Sequence, residues 1–316
     1  MINDIEKQIK KERHEFFKTF ISHELDSFWE DCELNPDRFI STGFYQLDDV
    51  LGGGLFEGLY VIGAISSLGK TTFVIQIADY IASQGQDVLY FSLEMPAYEI
   101  MAKSISRHTH WYCKDNGFNF DIYAKTARGI TTGKRYESYT QEDHGVIYAA
   151  EENYKRYADK LFIYDGDGDF GIDQIKSTVE KHIKHAGTAP VVIIDSLHHM
   201  ASTDSDDVVR SMEEQNTRII QELKQLSLCY KIPIILITHY PHYDKPISME
   251  LFEMDADSMD VLIGLQTKGY GTPNVYTSNH DNPRKVELVV LKNREGKIGS
   301  IDFDYYAKFN YFEETK

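Results

Sequence analysis

Gly58-Leu-Tyr-Val-Ile-Gly-Ala64-Ile-Ser-Ser-Leu-Gly69-Lys70-Thr71-Thr72-Phe-Val-Ile-Gln-Ile-Ala78 passes from a strand-sized apolar run, through a turn of small residues, into an apolar segment of helical character. Residues 59–64 read as a buried strand and 71–83 as a helix ended by Gly85. A phosphate group needs backbone N–H donors arranged around it, and a turn of small residues supplies them. The positive end of the following helix adds to the attraction. Lys70 can place its ammonium on the β- and γ-phosphates of a nucleotide, and Thr71 can offer its hydroxyl to Mg2+. The candidate phosphate-binding residues are Ser66, Ser67, Leu68, Gly69, Lys70, Thr71 and Thr72. Ala64 stands where such loops usually carry a glycine, with Gly63 beside it, and alanine is small enough to keep the turn.

Outward from this loop, strands and helices alternate. Strands are expected at 87–93, 160–164, 191–194 and 233–237, and helices at 97–107, 173–185 and 208–230. Such alternation implies crossover connections and a mostly parallel sheet flanked by helices, an α/β fold. After residue 260 the pattern changes to strands at 261–265, 286–291 and 298–305, with Glu295-Gly296 as a tight hairpin turn. Residues 109–158 are polar and rich in Tyr, Gly and Thr; they read as an insertion with a helix near 141–157. Before the core, Ile5, Ile9, Phe16, Phe20, Leu25 and Phe28 form an apolar stripe of helical spacing. Asn3 with Glu6 resembles a capping box, and Asn35-Pro36 ends the helix. The expected domains are 1–40, an N-terminal helix and linker, and 41–316, the α/β domain.

Two carboxylates complete a candidate catalytic set. Val191-Val-Ile-Ile-Asp195 is an apolar strand ending in a carboxylate, the Walker B arrangement. Asp195 would join the Mg2+ shell at the C-terminal edge of the sheet, where open parallel sheets bind ligands. Glu94, just past another strand end, can orient an attacking water.

The chain of 316 residues carries 33 basic and 50 acidic side chains, a net charge of −17. So acidic a chain does not wrap nucleic acid with its whole surface; binding there needs a local basic lining. Apolar residues make up 42% and charged residues 26%, which excludes disorder as the main state. No run approaches the roughly 18–20 apolar residues of a membrane helix, and the N-terminus lacks the apolar region of a secretory signal. Cys32, Cys113 and Cys229 lie too far apart for a disulfide framework or a CxxC zinc site. A cytoplasmic protein with no membrane partner is the expectation.

Three imitations of other sites are set aside. Asp165-Gly-Asp167-Gly-Asp169 imitates a calcium loop but has Phe170 at the required glycine and Lys176 at the required glutamate. It reads better as a capped strand-to-helix turn. His198, His199 and His242 have no ligand spacing for a metal. Gly129-Ile-Thr-Thr-Gly-Lys134 has no strand before it and reads as a flexible loop.

The motifs taken together resemble the RecA-like C-terminal ATPase domain of DnaB-type replicative helicases, over about residues 41–312. The resemblance rests on Ser41-Thr-Gly43-Phe-Tyr-Gln-Leu47-Asp48, the loop at 64–72, Phe91-Ser-Leu-Glu-Met-Pro96 and Val191–Asp195. It continues through Ile232-Pro-Ile-Ile-Leu-Ile-Thr238, Met254-Asp-Ala-Asp257 with Asp260-Val261, and Lys292-Asn-Arg294-Glu-Gly296. It implies a RecA-like P-loop core with a C-terminal β-hairpin extension, ATP and Mg2+ as cofactors, and Glu94 as the catalytic glutamate. It also implies that Lys292 and Arg294 reach the γ-phosphate of a neighbouring subunit, in a homo-oligomeric ring that is usually a hexamer. Single-stranded DNA is the implied substrate, with replication or recombination proteins as further partners.

The chain departs from the family at His239, after Thr238, where a glutamine usually senses the γ-phosphate. About 40 residues precede the core, too few for the separate N-terminal domain of replicative helicases. The loops expected to face DNA are poor in cations: Arg210 beside the acidic run 204–207, and Lys245 in the second loop. Leu51-Gly-Gly-Gly54 and Lys292-Asn-Arg294 also resemble the RadA and KaiC relatives. An ATPase that switches an assembly without unwinding is therefore one alternative, and a nucleotide-gated scaffold is another.

Overall fold

The computed structural model describes residues 25, 29, 39–64, 67–132, 137–166, 170–200, 212–239, 247–249, 256–269 and 283–315. The chain divides into two compact units, Met1–Ile40 and Ser41–Lys316. Of the N-terminal apolar stripe only Leu25 is described; it and Trp29 are helical, and the rest lies outside the described residues.

In the second unit the helices are α1 (Tyr45–Leu51), α2 (Lys70–Ser83), α3 (Ala97–Asp115), α4 (Phe120–Tyr123), α5 (Ala127–Thr131), α6 (Gln141–Lys155), α7 (Ile172–Ala186) and α8 (Met212–Tyr230). The strands are β1 (Gly58–Ala64), β2 (Val88–Ser92), β3 (Leu161–Asp165), β4 (Val191–Asp195), β5 (Pro233–His239), β6 (Val261–Thr267), β7 (Arg284–Asn293), β8 (Gly299–Tyr306) and β9 (Tyr311–Glu314). They form one sheet in the order β3-β2-β4-β5-β1-β6-β7-β8-β9.

From β3 to β6 every pairing is parallel, and from β6 to β9 every pairing is antiparallel. Composition explains the change. Strands β1, β2 and β4 are buried at every position and apolar except at the ends of β2 and β4, Ser92 and Asp195, as a sheet covered on both faces requires. One face packs on Ile172, Ile175 and Val179 of α7 and on Ile220, Leu223 and Leu226 of α8. Strands β7 and β8 alternate instead, burying Val286, Leu288 and Val290, then Ile301, Phe303 and Tyr305. Alternation fits an antiparallel extension with one core face. That face meets α2 through Phe73, whose ring lies 5.0 Å from Phe44, 5.6 Å from Phe303 and 5.3 Å from Phe312.

Three local expectations are revised. The helix expected at 97–107 runs on to Asp115, because Arg107, His108, Thr109 and His110 are buried rather than looped out. The polar segment read as an insertion has the expected helix as α6 and also folds α4 and α5, with a small core of Cys113, Ala124, Val146 and Phe309. Within it, Gly129 belongs to α5: the Thr126 hydroxyl accepts from Gly129 N, and the Tyr139 hydroxyl donates to Gly129 O. The flexible-loop reading of 129–134 therefore fails for 129–131, while 133 and 134 lie outside the described residues. The strand β9 was not anticipated. The turn after β3 is not capped by an aspartate: α7 follows Gly171, whose N donates to Gln174 Oε1 at 3.0 Å, while Asp165 Oδ2 accepts from Ala97 N, the first residue of α3, at 2.9 Å.

Candidate functional site

Strand β1 is central and ends at Ala64, so the loop that follows emerges at the C-terminal edge of the parallel strands. Ser67 and Gly69 both adopt positive φ, 67° and 92°. A Cβ at Gly69 would lie 2.7 Å from the Tyr305 ring, so this position needs glycine for its backbone and for its space. Helix α2 starts at Lys70 with no side-chain cap. Its first-turn amides therefore point toward the loop without intrahelical acceptors. Ile65 and Ser66 lie outside the described residues.

The structure brings Lys70, Thr71, Asp195, Glu94 and His239 around this loop. Lys70 is 7% exposed. Its Nζ donates to Ala64 O at 3.1 Å and meets His239 Nδ1 at 3.3 Å. Burial lowers the Lys70 pKa, while Asp195 and Glu94 oppose the shift. An ammonium can only donate, so the contact makes Nδ1 of His239 the acceptor and leaves the ring proton on Nε2. Burial, Lys70 and His198 together lower the His239 pKa, which keeps that imidazole neutral at pH 7. His239 is placed there by the register, which pairs it with Ala64. His198 packs edge-on against it at 5.2 Å.

Asp195 is 1% exposed. Its Oδ2 accepts from the Tyr90 hydroxyl at 2.9 Å, and its Oδ1 is buried with no hydrogen-bond partner. Burial raises its pKa, and Glu94 pushes the same way; Thr71, Tyr90 and Lys70 favour the ionised form. A buried carboxylate oxygen without a partner, beside a threonine hydroxyl, is a donor set suited to Mg2+. Among the described residues no cluster of three His, Cys, Asp or Glu side chains offers another metal centre.

Glu94 is exposed, on the turn after β2. Leu93 N donates to Asp195 O at 2.7 Å, and the Ser92 hydroxyl donates to Met95 O, so the turn is tied to the end of β4.

Four contributors were not legible in the motifs. Tyr90 is the buried donor to Asp195. Lys103 on α3 reaches back to Asn310 Oδ1 at 3.1 Å and Thr72 Oγ1 at 3.4 Å, and burial lowers its pKa. Arg284, first residue of β7, donates from Nη1 to Ser67 O at 3.3 Å and lies 5.9 Å over the Tyr305 ring. Tyr305 itself backs the loop. Each comes from a distant segment, and only strand register or helix packing aims it here. The segment read as an insertion also reaches this side: Arg128 and Thr131 line a cleft of about 520 Å³ with Met95, Tyr98 and Lys103.

Lys292 and Arg294 are elsewhere. Strand β7 runs antiparallel, so Lys292 pairs with Leu262, near the start of β6. Arg294 N donates to Asp260 O at 2.9 Å, before β6 begins. At roughly 3.3 Å per residue, strand β1 alone separates them from the chain's own phosphate loop by about 20 Å. Arg210, His242 and Lys245, from the loops expected to face DNA, lie outside the described residues. No helix among the described residues is long and apolar enough to cross a membrane.

Comparison with known proteins agrees with this fold. The probable replicative DNA helicase of Trieres chinensis is 25% identical over 285 residues, 86% of this chain and 56% of that protein. The replicative DNA helicase DnaC of Bacillus subtilis is 23% identical over 282 residues, with the same coverage of 86% and 56%. The chain thus spans just over half the length of the curated relatives it matches. A DnaB-like replicative helicase, solved with its interactions with primase, shares the fold at a TM-score of 0.72 and 20% identity, over 94% of this chain and 67% of that one. A KaiC-like protein of Pyrococcus horikoshii shares it more distantly, at a TM-score of 0.54 and 16% identity over 88% of this chain and 99% of that one. The model of the DnaB-like helicase C-terminal domain matches residues 40–314, and the chain belongs to that family.

Proposed function

We propose that this chain is a Mg2+-dependent ATPase that assembles into a ring, hexameric as the family resemblance implies, and couples turnover to movement along single-stranded DNA. One observation carries the reading. Lys70, Asp195, Glu94 and His239 converge on the phosphate loop, while Arg294 stands 62% exposed at the opposite end of the same sheet. A cation that cannot serve its own site is available to a neighbour's.

In this reading the α2 amides and Lys70 hold the β- and γ-phosphates. Asp195 and Thr71 would hold Mg2+, which neutralises charge on the transferring phosphoryl group. Glu94 accepts a hydrogen bond from the attacking water and aims its oxygen at the γ-phosphorus. Neutral His239 donates from Nε2 to a γ-phosphate oxygen, in place of the family's usual glutamine. Lys292 and Arg294 meet the neighbour's γ-phosphate, so hydrolysis requires assembly.

The test is ATP turnover with and without single-stranded DNA, at low and moderate salt, with Lys70→Ala as the blank. Stimulation that fades with salt supports the motor. Turnover indifferent to DNA would sink it and select the second reading, an ATPase that switches a protein assembly. The acidic run 204–207 is the observation favouring that alternative.

A further inference from the structure

We propose that Asp260 is the positioning residue for Arg294, holding the hairpin arginine in the pose from which it meets the neighbouring subunit's nucleotide. This rests on the reading that Arg294 acts in trans.

Asp260 directly precedes β6 and touches three elements at once. Its Oδ2 accepts from Leu59 N at 2.7 Å, at the start of β1. Lys224 Nζ, on α8, donates to both carboxylate oxygens at 2.8 and 2.6 Å. Arg294 Nη1 stands 3.5 Å from Oδ1, and Arg294 N donates to the Asp260 carbonyl at 2.9 Å. A Cβ on Gly58 would come within 2.8 Å of Oδ2, so the strand start leaves room for this carboxylate.

The other side of the hairpin is clamped to α1. Val50 O accepts from Lys297 N at 3.0 Å and from Asn293 Nδ2 at 2.9 Å. The hairpin base is therefore fixed, and the remaining freedom belongs to the long Arg294 side chain. Arginine gives up much rotamer freedom when its side chain is fixed. A carboxylate 15% exposed, already shared with Lys224 and Leu59 N, gives the guanidinium a weak anchor rather than a buried lock. Such an anchor restricts the arginine's search and still releases it to a phosphate. Asp260 also joins the hairpin to the strand that carries the phosphate loop at its far end.

Asp260→Asn keeps the size and a carbonyl acceptor but removes the charge that attracts Arg294. Misplacing a catalytic group by about 1 Å can cost on the order of a hundredfold in rate. A loss of kcat between about tenfold and a hundredfold is expected, with KM for ATP within about twofold, because ATP binds at the other end of the sheet. The decisive experiment mixes subunits. Lys70→Ala chains have a dead phosphate site and an intact hairpin, and Asp260→Asn chains have the reverse. A one-to-one mixture of these two impaired variants should recover turnover at roughly a quarter of its interfaces. Arg294→Ala mixed with Lys70→Ala is the reference. If that reference mixture stays inactive, the trans reading and this proposal both fall. If it recovers while Asp260→Asn alone turns over like wild type, only the positioning role falls.

An Asp260→Asn defect that Lys70→Ala subunits do not rescue marks a folding role and also overturns the proposal. So does recovery of turnover when Lys224→Met is added to Asp260→Asn, since the defect would then be the stranded lysine. Should Asp260→Asn not fold, Asp260→Glu retains the charge on Lys224, displaces the anchor, and carries the same expectations.

Discussion

At the C-terminal end of the parallel strands, Asp195 keeps one buried oxygen without a partner, and Lys70 is lowered in pKa by burial. At the N-terminal end, Asp260 satisfies both carboxylate oxygens with Leu59 N and Lys224, while Arg294 is left mostly exposed. One end holds a buried carboxylate oxygen, Asp195 Oδ1, that no described residue pairs, and a ligand can supply what is missing. The other end spends its polar contacts on holding a projecting hairpin still. In the proposed function these ends carry two halves of one catalytic constellation, which can meet only between subunits.

The largest effect expected from breaking this contrast is at the projecting end. Arg294→Ala should lower kcat by about 10³-fold or more, the usual worth of an arginine supplied in trans. Thermal unfolding should be nearly unchanged, because the side chain is exposed. Next, Lys70→Ala should remove about 10²–10³-fold of turnover. Unlike the hairpin variant, it should also lose ATP affinity in a direct binding titration.

A smaller, opposite pair of stability changes sharpens the comparison. Folded Asp195 holds its proton more tightly than unfolded Asp195, since burial raises its pKa. Its contribution favours the fold below the ordinary carboxylate range and turns against it as pH rises through the raised value. Asp195→Asn should therefore stabilise the nucleotide-free protein at pH 7 by about 1–2 kcal/mol while abolishing turnover. Asp260→Ala should instead destabilise by about 1–3 kcal/mol, because it strands Leu59 N and Lys224. Denaturant melts of the two variants would check both signs.

The smallest effect is at His239. Its lowered pKa leaves it neutral at pH 7, so protonation disturbs its contact with Lys70 only below the ordinary imidazole range. His239→Gln should match wild type within about twofold at pH 8 and be less sensitive to acid in a pH–rate profile.

The parallel half of the fold was readable because continuous apolar runs and helical periodicity are local properties. The phosphate loop, Asp195 and Glu94 were readable because their spacing to strand ends is local too. In residues 109–158 the helix near 141–157 was readable, but the packing was not, because burial there depends on partners such as Phe309, about 150–200 positions away, which no local pattern announces. His110 shows the effect: a polar residue 1% exposed, ringed by Phe120, Tyr306, Phe309 and Tyr311. Lys103 and Arg284 escaped for the same reason, as each acts across a packing contact rather than within a motif.

By itself the sequence determined that this chain is an α/β protein with a candidate phosphate loop, a strand-end carboxylate and a candidate catalytic glutamate. These follow from side-chain chemistry and short-range spacing. Only the tertiary structure decided which end of the sheet each group occupies. Pairing β7 antiparallel to β6 carries Arg284 to the loop and Arg294 away from it, though ten residues separate them. Strand direction is set by how the sheet closes its hydrogen bonds across the whole domain, and that information is not local.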